Sequence, residues 1–186
     1  NFCSNDLSAF YFDIRKDIIY CDGKKSLERR SARTLLDIIF NYLVRWLAPS
    51  LSFTAEEAWK SRENVSSIHL EDFLNTPESY KNSDINDRWL ILKQIRKVIT
   101  GALEKQRSEK IIGSSLEAHI DIFLEKTILD QVKNYSMDEI SITSSFKFYE
   151  LNKDSKGFSI EDVPYAKVIV SKTKGQKCQR CWKYKK

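Results

Sequence analysis

Glycine is scarce in this chain, with five among 186 residues. None belongs to a Gly-rich loop of the kind whose amides cradle a nucleotide phosphate, which argues against nucleotide hydrolysis by this segment. Long hydrophobic runs are missing too. The longest, such as Leu35-Leu36-Asp37-Ile38-Ile39-Phe40, is broken by charge well short of the ~20 residues that cross a bilayer, so no membrane span is expected. Only two histidines occur, His69 and His119, and neither has a nucleophile motif beside it. His69 sits near Glu71 and Asp72 and reads as a structural or solvated group, while His119 reads as a partly exposed strand residue. Catalysis by these residues is not expected. The four cysteines, Cys3, Cys21, Cys178 and Cys181, do not form the dense framework of a small secreted domain, and a reducing, cytoplasmic setting is expected. The start, Asn1-Phe2-Cys3-Ser4-Asn5-Asp6, lacks an initiator Met, a basic n-region and an apolar h-region. It reads as a cut inside a longer protein.

What is present is the balance of a soluble globular protein, 41% hydrophobic and 31% charged, with enough length for one fair-sized core or two modest ones. The net charge of +5 is unevenly spread. From Val163 onward there are eight basic residues, Lys167, Lys172, Lys174, Lys177, Arg180, Lys183, Lys185 and Lys186, and no acid, which leaves 23 basic against 26 acidic residues elsewhere. A near-neutral body with a basic tail suggests a polyanion partner at that end, because clustered cations gain by releasing counterions from phosphates. A solvated Lys-rich end is the plainer reading of the same run.

Apolar residues at Cys3, Leu7, Phe10, Ile14 and Ile18 have the three-to-four spacing of one helical face, so an amphipathic helix is expected from Asn1 to Tyr20. Gly23 marks a turn and Ser26 an N-cap. The next helix places Leu27, Leu35, Ile38, Ile39, Tyr42, Leu43, Trp46 and Leu47 along one side until Pro49 stops it. Thr54 and Glu57 have the spacing of a capping box that starts a short helix. Residues 61 to 83, with Asn64, Ser66, Ser67, Asn75, Pro77, Asn82 and Ser83, read mainly as connection. From Asp84 to about Lys110 the helical period resumes at Trp89, Leu92, Ile95, Ile99, Ala102 and Leu103. Such stripes bury only against one another, so residues 1–112 are expected to form a helical bundle.

The texture then changes. Gly113-Ser114-Ser115 breaks the helix, Leu116 to Phe123 alternates as a strand does, and Glu125 to Tyr135 suits a short helix. Glu139 to Thr143 and Ala166 to Val170 are β-branched and strand-like. A small α+β domain over 113–174 is expected, followed by a tail over 175–186. The fold class is thus mainly α.

Cys178 and Cys181 are the strongest chemical signal. Two thiolates three positions apart hold one Zn²⁺ from a tight knuckle, but a closed structural site needs four ligands, and only two are in place. Cys3 and Cys21 are poor candidates for the others: Cys3 lies on an apolar stripe, where free Cys behaves as a small hydrophobe. A redox pair is the competing reading, although it lacks the strand-to-helix context such pairs occupy. Around the cysteines, Lys177, Arg180, Trp182, Lys183 and Tyr184 interleave cations with aromatics, which suits phosphates and unstacked bases of single-stranded nucleic acid. Trp182 packed over the knuckle as its only core is the alternative.

Five segments together carry a resemblance: NFCSNDLSAFYFDIRKDIIYCD, RRSARTLLDIIFNYLVRWLAPSLSFTAEEAW, IHLEDF, GSSLEAHI and KCQRCWKY. In this order they resemble the C-terminal part of bacterial isoleucyl-tRNA synthetases, of the class I aminoacyl-tRNA synthetase family, over essentially the whole chain. RWLAPSLSFTAEEAW alone is shared in form with valyl and leucyl relatives; the Cys-x-Arg-Cys-Trp ending, joined to SAFYFDIRKD, favours isoleucine. The resemblance implies a helical anticodon-binding domain, a small junction domain and the first half of a C-terminal zinc module. It implies tRNA-Ile as partner, a monomer, and an ATP-using catalytic domain of the same parent chain, whose His-Ile-Gly-His and Lys-Met-Ser-Lys-Ser signatures do not occur here. Cys178 and Cys181 match the first zinc pair, and the second pair is missing, so the half-site is expected to be empty. Arg180 and Trp182 match residues near the anticodon. Lys177 and Lys183 flank them, and Arg29, Arg30, Arg33 and Arg45 are weaker candidates for phosphate contacts. A helical protein-interaction domain with an incidental basic tail is the competing class.

Overall fold

The computed structural model describes residues 1–62 and 66–185. Asn64 of the expected connection and Lys186 of the basic tail lie outside the described residues. The chain forms two compact units, one of Asp17–Lys81 and one of Asn1–Lys16 with Asn82–Lys186. The helices are α1 (Asp13–Cys21), α2 (Leu27–Leu47), α3 (Ser52–Lys60), α4 (Ser83–Ser108), α5 (Lys126–Val132) and α6 (Met137–Ser141), and Phe2–Phe12 winds as a π-helix. The strands are β1 (Ala118–Leu124), β2 (Ser145–Glu150), β3 (Ala166–Lys172), β4 (Gln176–Lys177) and β5 (Tyr184–Lys185). The protein is mainly α with a small three-stranded sheet. No helix among the described residues is long and apolar enough to cross a membrane.

In the Asp17–Lys81 unit, α2 begins where Ser26 Oγ accepts the Arg29 amide at 3.3 Å, an N-cap that satisfies one of the helix's orphan donors. The helix ends at Leu47, two residues before Pro49. Val44 and Ala48 pack with Ala55 and Trp59 of α3 and with Ile68 of a short 3-10 turn, Ile68–Leu70. Two expectations change here. The Thr54 and Glu57 capping box does not form, because α3 starts earlier and takes Leu51 as its N-cap, with no side-chain cap. The α2 stripe is not buried along its length: Leu27 (71%), Trp46 (53%), Leu35 and Leu47 are exposed, since a nine-residue α3 covers only a short stretch of a 21-residue helix.

Glu56 ties α3 to the following turn. Its carboxylate accepts from Lys60 Nζ, Ser67 Oγ and the Ile68 amide, each at 2.9 Å. These partners, Lys60 first and the Ile68 amide next, hold its carboxyl down at about 2.

In the other unit, Asn82 Oδ1 caps α4 by accepting the Ile85 amide at 3.0 Å. The helix closes with Lys110 in the left-handed region (φ 57), while Ile111 N reaches Gln106 O and Lys110 N reaches Arg107 O, the Schellman pattern. Leu92, Ile95, Val98, Ile99, Ala102 and Leu103 along α4 join one core with Ala118, Ile120, Ile122 and Leu124, the alternate positions of β1. The strand order is β2-β1-β3, with β1 parallel to β2 and antiparallel to β3. A parallel neighbour needs a crossover, and α5 and α6 provide it. Compactness thus divides the chain differently from the change of texture at residues 112 and 113, because the α4 stripe is buried with the sheet.

Two further expectations are corrected in this unit. Glu139 to Thr143 is not a strand: Met137–Ser141 is helical and Ile142 turns left-handed (φ 55). Met137 and Ile140, one helical turn apart, are both buried, and Arg96 Nε donates to Ile140 O at 2.9 Å. The strand is instead Ser145–Glu150, where Phe146 and Phe148 alternate with Lys147 and pack on the core. Cys3 is exposed and does not share the burial of Leu7 and Ile14. The i→i+5 winding of Phe2–Phe12 changes the angular step per residue, so three-to-four spacing no longer defines one face.

Ile122 is fully buried at the centre of the sheet. Ile122→Ala is expected to cost ~2–5 kcal/mol in denaturant unfolding without a change in the far-ultraviolet helix signal. Because the carboxyl of Glu56 is lowered in the folded state, its stabilisation is complete above its ordinary value of 4.5 and is lost as pH falls toward about 2. Glu56→Gln is expected to destabilise the protein at neutral pH and to flatten the dependence of Tm on pH across that acidic window.

Candidate nucleic-acid interface

β4 and β5 form a minimal antiparallel hairpin, with Gln176 opposite Lys185 and Lys177 opposite Tyr184. The turn between them is the cysteine knuckle. Cys178 N donates to Lys183 O at 2.9 Å, Trp182 N donates to Cys178 O at 3.0 Å, and Trp182 takes a left-handed backbone (φ 60). The Cys181 amide above all, then the Arg180 amide and the Cys181 thiol, stabilise the Cys178 thiolate and draw its pKa down to about 7. Both cysteines are free thiols. The turn thus places one sulfur, bonded by backbone amides, beside a second. Among the described residues, however, no group of three or more His, Cys, Asp or Glu gathers to hold a metal ion. The pair fits half of a tetrahedral thiolate site and does not complete one.

The hairpin is tied to the body of its unit by two polar contacts. Lys183 Nζ pairs with Asp138 Oδ2 at 3.1 Å, and Tyr184 N donates to Ser144 Oγ at 2.7 Å. Ser144 in turn donates to the Leu116 carbonyl. Lys183 is therefore an anchor. With only 18% of its side chain exposed and Asp138 beside it, it offers little to a phosphate. Trp182, by contrast, is 59% exposed and does not act as a buried lid on the knuckle. Its ring lies 5.0 Å from Lys177 Nζ, a cation–π contact on the same surface. Lys177 and Arg180 are exposed. The hairpin thus presents an indole, an ammonium and a guanidinium together.

The α2 arginines separate into two kinds. Arg30 and Arg33 are exposed and line an open groove with Ile19, Leu36, Phe40 and Arg62. Arg62, which no sequence signal marked, pairs with Asp37 and lies 5.1 Å over the Phe40 ring. Arg29 and Arg45 serve the fold. Arg29 Nη1 donates to Asp22 O at 2.7 Å. Arg45 is 8% exposed: Nη1 donates to Asn41 O and Oδ1, Nη2 pairs with Glu71 at 2.9 Å, and the guanidinium lies 4.7 Å over Trp59. The expected phosphate contact by Arg45 is corrected on that ground, since a buried guanidinium with both Nη groups engaged has no surface to offer. Nothing in the sequence marked this, since Val44 on one side of Arg45 is buried and Trp46 on the other is exposed. His69 is exposed, as a solvated residue should be.

Asp138→Ala removes the Lys183 anchor. Amide exchange of Cys178 and Tyr184 is expected to accelerate roughly tenfold or more, since a hydrogen bond to a charged group contributes ~1.5–3 kcal/mol, while exchange within β1 stays unchanged.

Comparison with known proteins bears on these surfaces. The family described as the anticodon-binding domain of tRNA ligase matches residues 1–122. The chain is 43% identical over 189 residues to the isoleucine–tRNA ligase of Pelagibacter ubique, in an alignment covering 100% of the chain and 20% of the relative. It is 44% identical over 186 residues to that of Bartonella henselae (99% and 19%) and 41% identical to that of Brucella abortus biovar 1 (99% and 19%). The chain spans about a fifth of the length of these curated relatives.

Proposed function

The chain belongs to the family of anticodon-binding domains of tRNA ligases, and from that premise we propose that it holds the anticodon stem-loop of tRNA-Ile. A catalytic domain elsewhere in the same polypeptide then joins isoleucine to that tRNA with consumption of ATP. The observation that carries this reading is identity of 41–44% with isoleucine–tRNA ligases across 99–100% of the chain. Cytoplasmic location and a monomeric state accord with it.

In this reading residues 1–112 support the anticodon stem, 113–174 form a junction, and 175–186 reach the loop. The loop is single-stranded, so its bases are free to stack on an exposed ring while its phosphates meet cations. Trp182 supplies the ring, Lys177 and Arg180 the cations, and Arg180 also the planar fork that pairs with a base edge. Arg30 and Arg33 offer phosphate contacts on the other unit. The geometry supports a smaller role for Lys183, Arg29 and Arg45, which position other groups. Cys178 and Cys181 would supply two thiolates to a zinc ion, whose part is to hold the knuckle closed; two further donors are needed to complete it.

Fluorescence anisotropy with a labelled anticodon stem-loop tests the proposal. Binding is expected to be weak and to fall steeply with salt. Trp182→Ala is expected to weaken it about five- to a hundredfold, in line with ~1–3 kcal/mol for a lost stack. Adenylate formation by the chain alone would overturn the division of labour. Absence of binding, or binding unchanged by removal of residues 175–186, would favour a helical protein-interaction domain instead.

A further inference from the structure

The sheet has a second face, opposite α4, and one end of it forms a pocket that the hairpin reading does not use. Strand register sets Ser145, His119 and Ser171 in one row across β2, β1 and β3. Together with Lys172, Thr173 and Lys174 they line this pocket. Every one of the six side chains carries a hydrogen-bond donor group: three hydroxyls, two ammoniums and an imidazole. Hydroxyls and ammoniums of this kind suit an oxyanion.

His119 and Ser145 bond to each other, which leaves Ser171, Thr173 and the two ammoniums to face an anion. His119 Nδ1 lies 2.7 Å from Ser145 Oγ and its Nε2 lies 3.3 Å from Asp121 Oδ1, so the ring is fixed from both sides. Thr173 N donates to Glu117 O at 2.7 Å, which pins the rim just beyond β3. The acids nearby are already engaged. Asp121 faces His119, and Glu117 lies 3.7 Å from Lys172 while accepting the Gly113 amide at 3.2 Å. Lys174 is exposed and makes no ion pair among the described residues. Two lysines thus stand beside two carboxylates that already have partners, and Lys174 is the cation left to meet an anion.

The pocket also leads toward the hairpin along the chain. Lys174 and Lys177 are three residues apart, at most ~11 Å of extended backbone, so one nucleic-acid backbone can meet both. We propose that this pocket binds a phosphodiester of the RNA backbone, as a second contact of the strand whose bases reach Trp182. The inference rests on the tRNA reading above. Its chemistry is that of a phosphate monoanion, and a free inorganic phosphate would satisfy the same donors, so the test must separate the two sources.

Anticodon stem-loop binding is measured against salt for the unaltered chain, the Lys172→Gln, Lys174→Gln double variant, Ser171→Ala, and a control pair, Lys153→Gln with Lys156→Gln, on the exposed connection between β2 and β3. The pocket double variant is expected to weaken binding five- to tenfold and to lower the slope of log K against log salt by about 1 to 2. Ser171→Ala is expected to weaken it two- to threefold, and the control pair less than twofold. In parallel, the His119 ring resonances are followed by NMR on adding the RNA or inorganic phosphate, and are expected to move with the RNA. If the unaltered chain binds RNA but the pocket variants match the control, the pocket assignment is wrong and the function stands. Resonances that move with inorganic phosphate and not with RNA overturn the phosphodiester assignment. Failure of the unaltered chain to bind RNA overturns both readings.

Discussion

Burial of the α4 stripe in one core with β1 and β3 is the interaction on which the cysteine hairpin and the polar face of the sheet depend. Leu92, Ile95, Val98 and Ile99 are without exposure, as are Ala118, Ile120, Ile122 and Leu124 across from them. At ~25 cal/mol per Å² of apolar surface removed from water, a core of such side chains supplies the main favourable term of this unit. It holds β1 centrally, and β1 in turn carries β2 and β3 in register. Ser144 stands just ahead of β2 and Asp138 lies in α6, so the two polar anchors of the cysteine hairpin are placed by the same core. A two-residue-per-strand hairpin has too few ladder bonds to stand alone. Its orientation is borrowed from the sheet.

Basic residues sort by desolvation. A guanidinium or ammonium that is taken out of water must be paired, and once paired it no longer serves a ligand. Arg45, between Asn41, Glu71 and the Trp59 ring, and Lys183, beside Asp138, fall on that side. Arg30, Arg33, Lys174, Lys177 and Arg180 remain exposed at the surface. The net charge of +5 understates the asymmetry that results.

The knuckle shows how backbone geometry prepares chemistry before any ligand arrives. The Cys181 and Arg180 amides bond the Cys178 sulfur, and Trp182 just after them takes a left-handed backbone. The indole faces outward, where Lys177 covers part of it and leaves the rest to solvent. Thiolate stabilisation and ring exposure thus occur side by side in one short turn.

Local rules determined much of this protein from the sequence alone. Ser26 as a cap and Pro49 as a stop set the bounds of α2, and the period of Trp89, Leu92, Ile95 and Ile99 set α4, because capping and amphipathic spacing act over neighbouring residues. The cysteine pair with Arg180 and Trp182, and the family resemblance of the whole chain, were equally legible. Tertiary structure alone decided what each stripe is buried against. The period of α4 is the same whether its partner is a helix or a sheet, so the sequence pointed to a bundle while the fold joined α4 to β1 and β3. The β-branched run at Ile140 and Ile142 carries strand propensity, yet burial of Met137 and Ile140 on one face made it helical, and the strand formed from Ser145 onward. Pairing was likewise invisible from composition: Arg45 and Arg33 are alike as letters, and only the position of Glu71 and Trp59 around one of them makes it structural. The row of Ser145, His119 and Ser171 has no sequence signature, because strand register brings residues from three distant segments together.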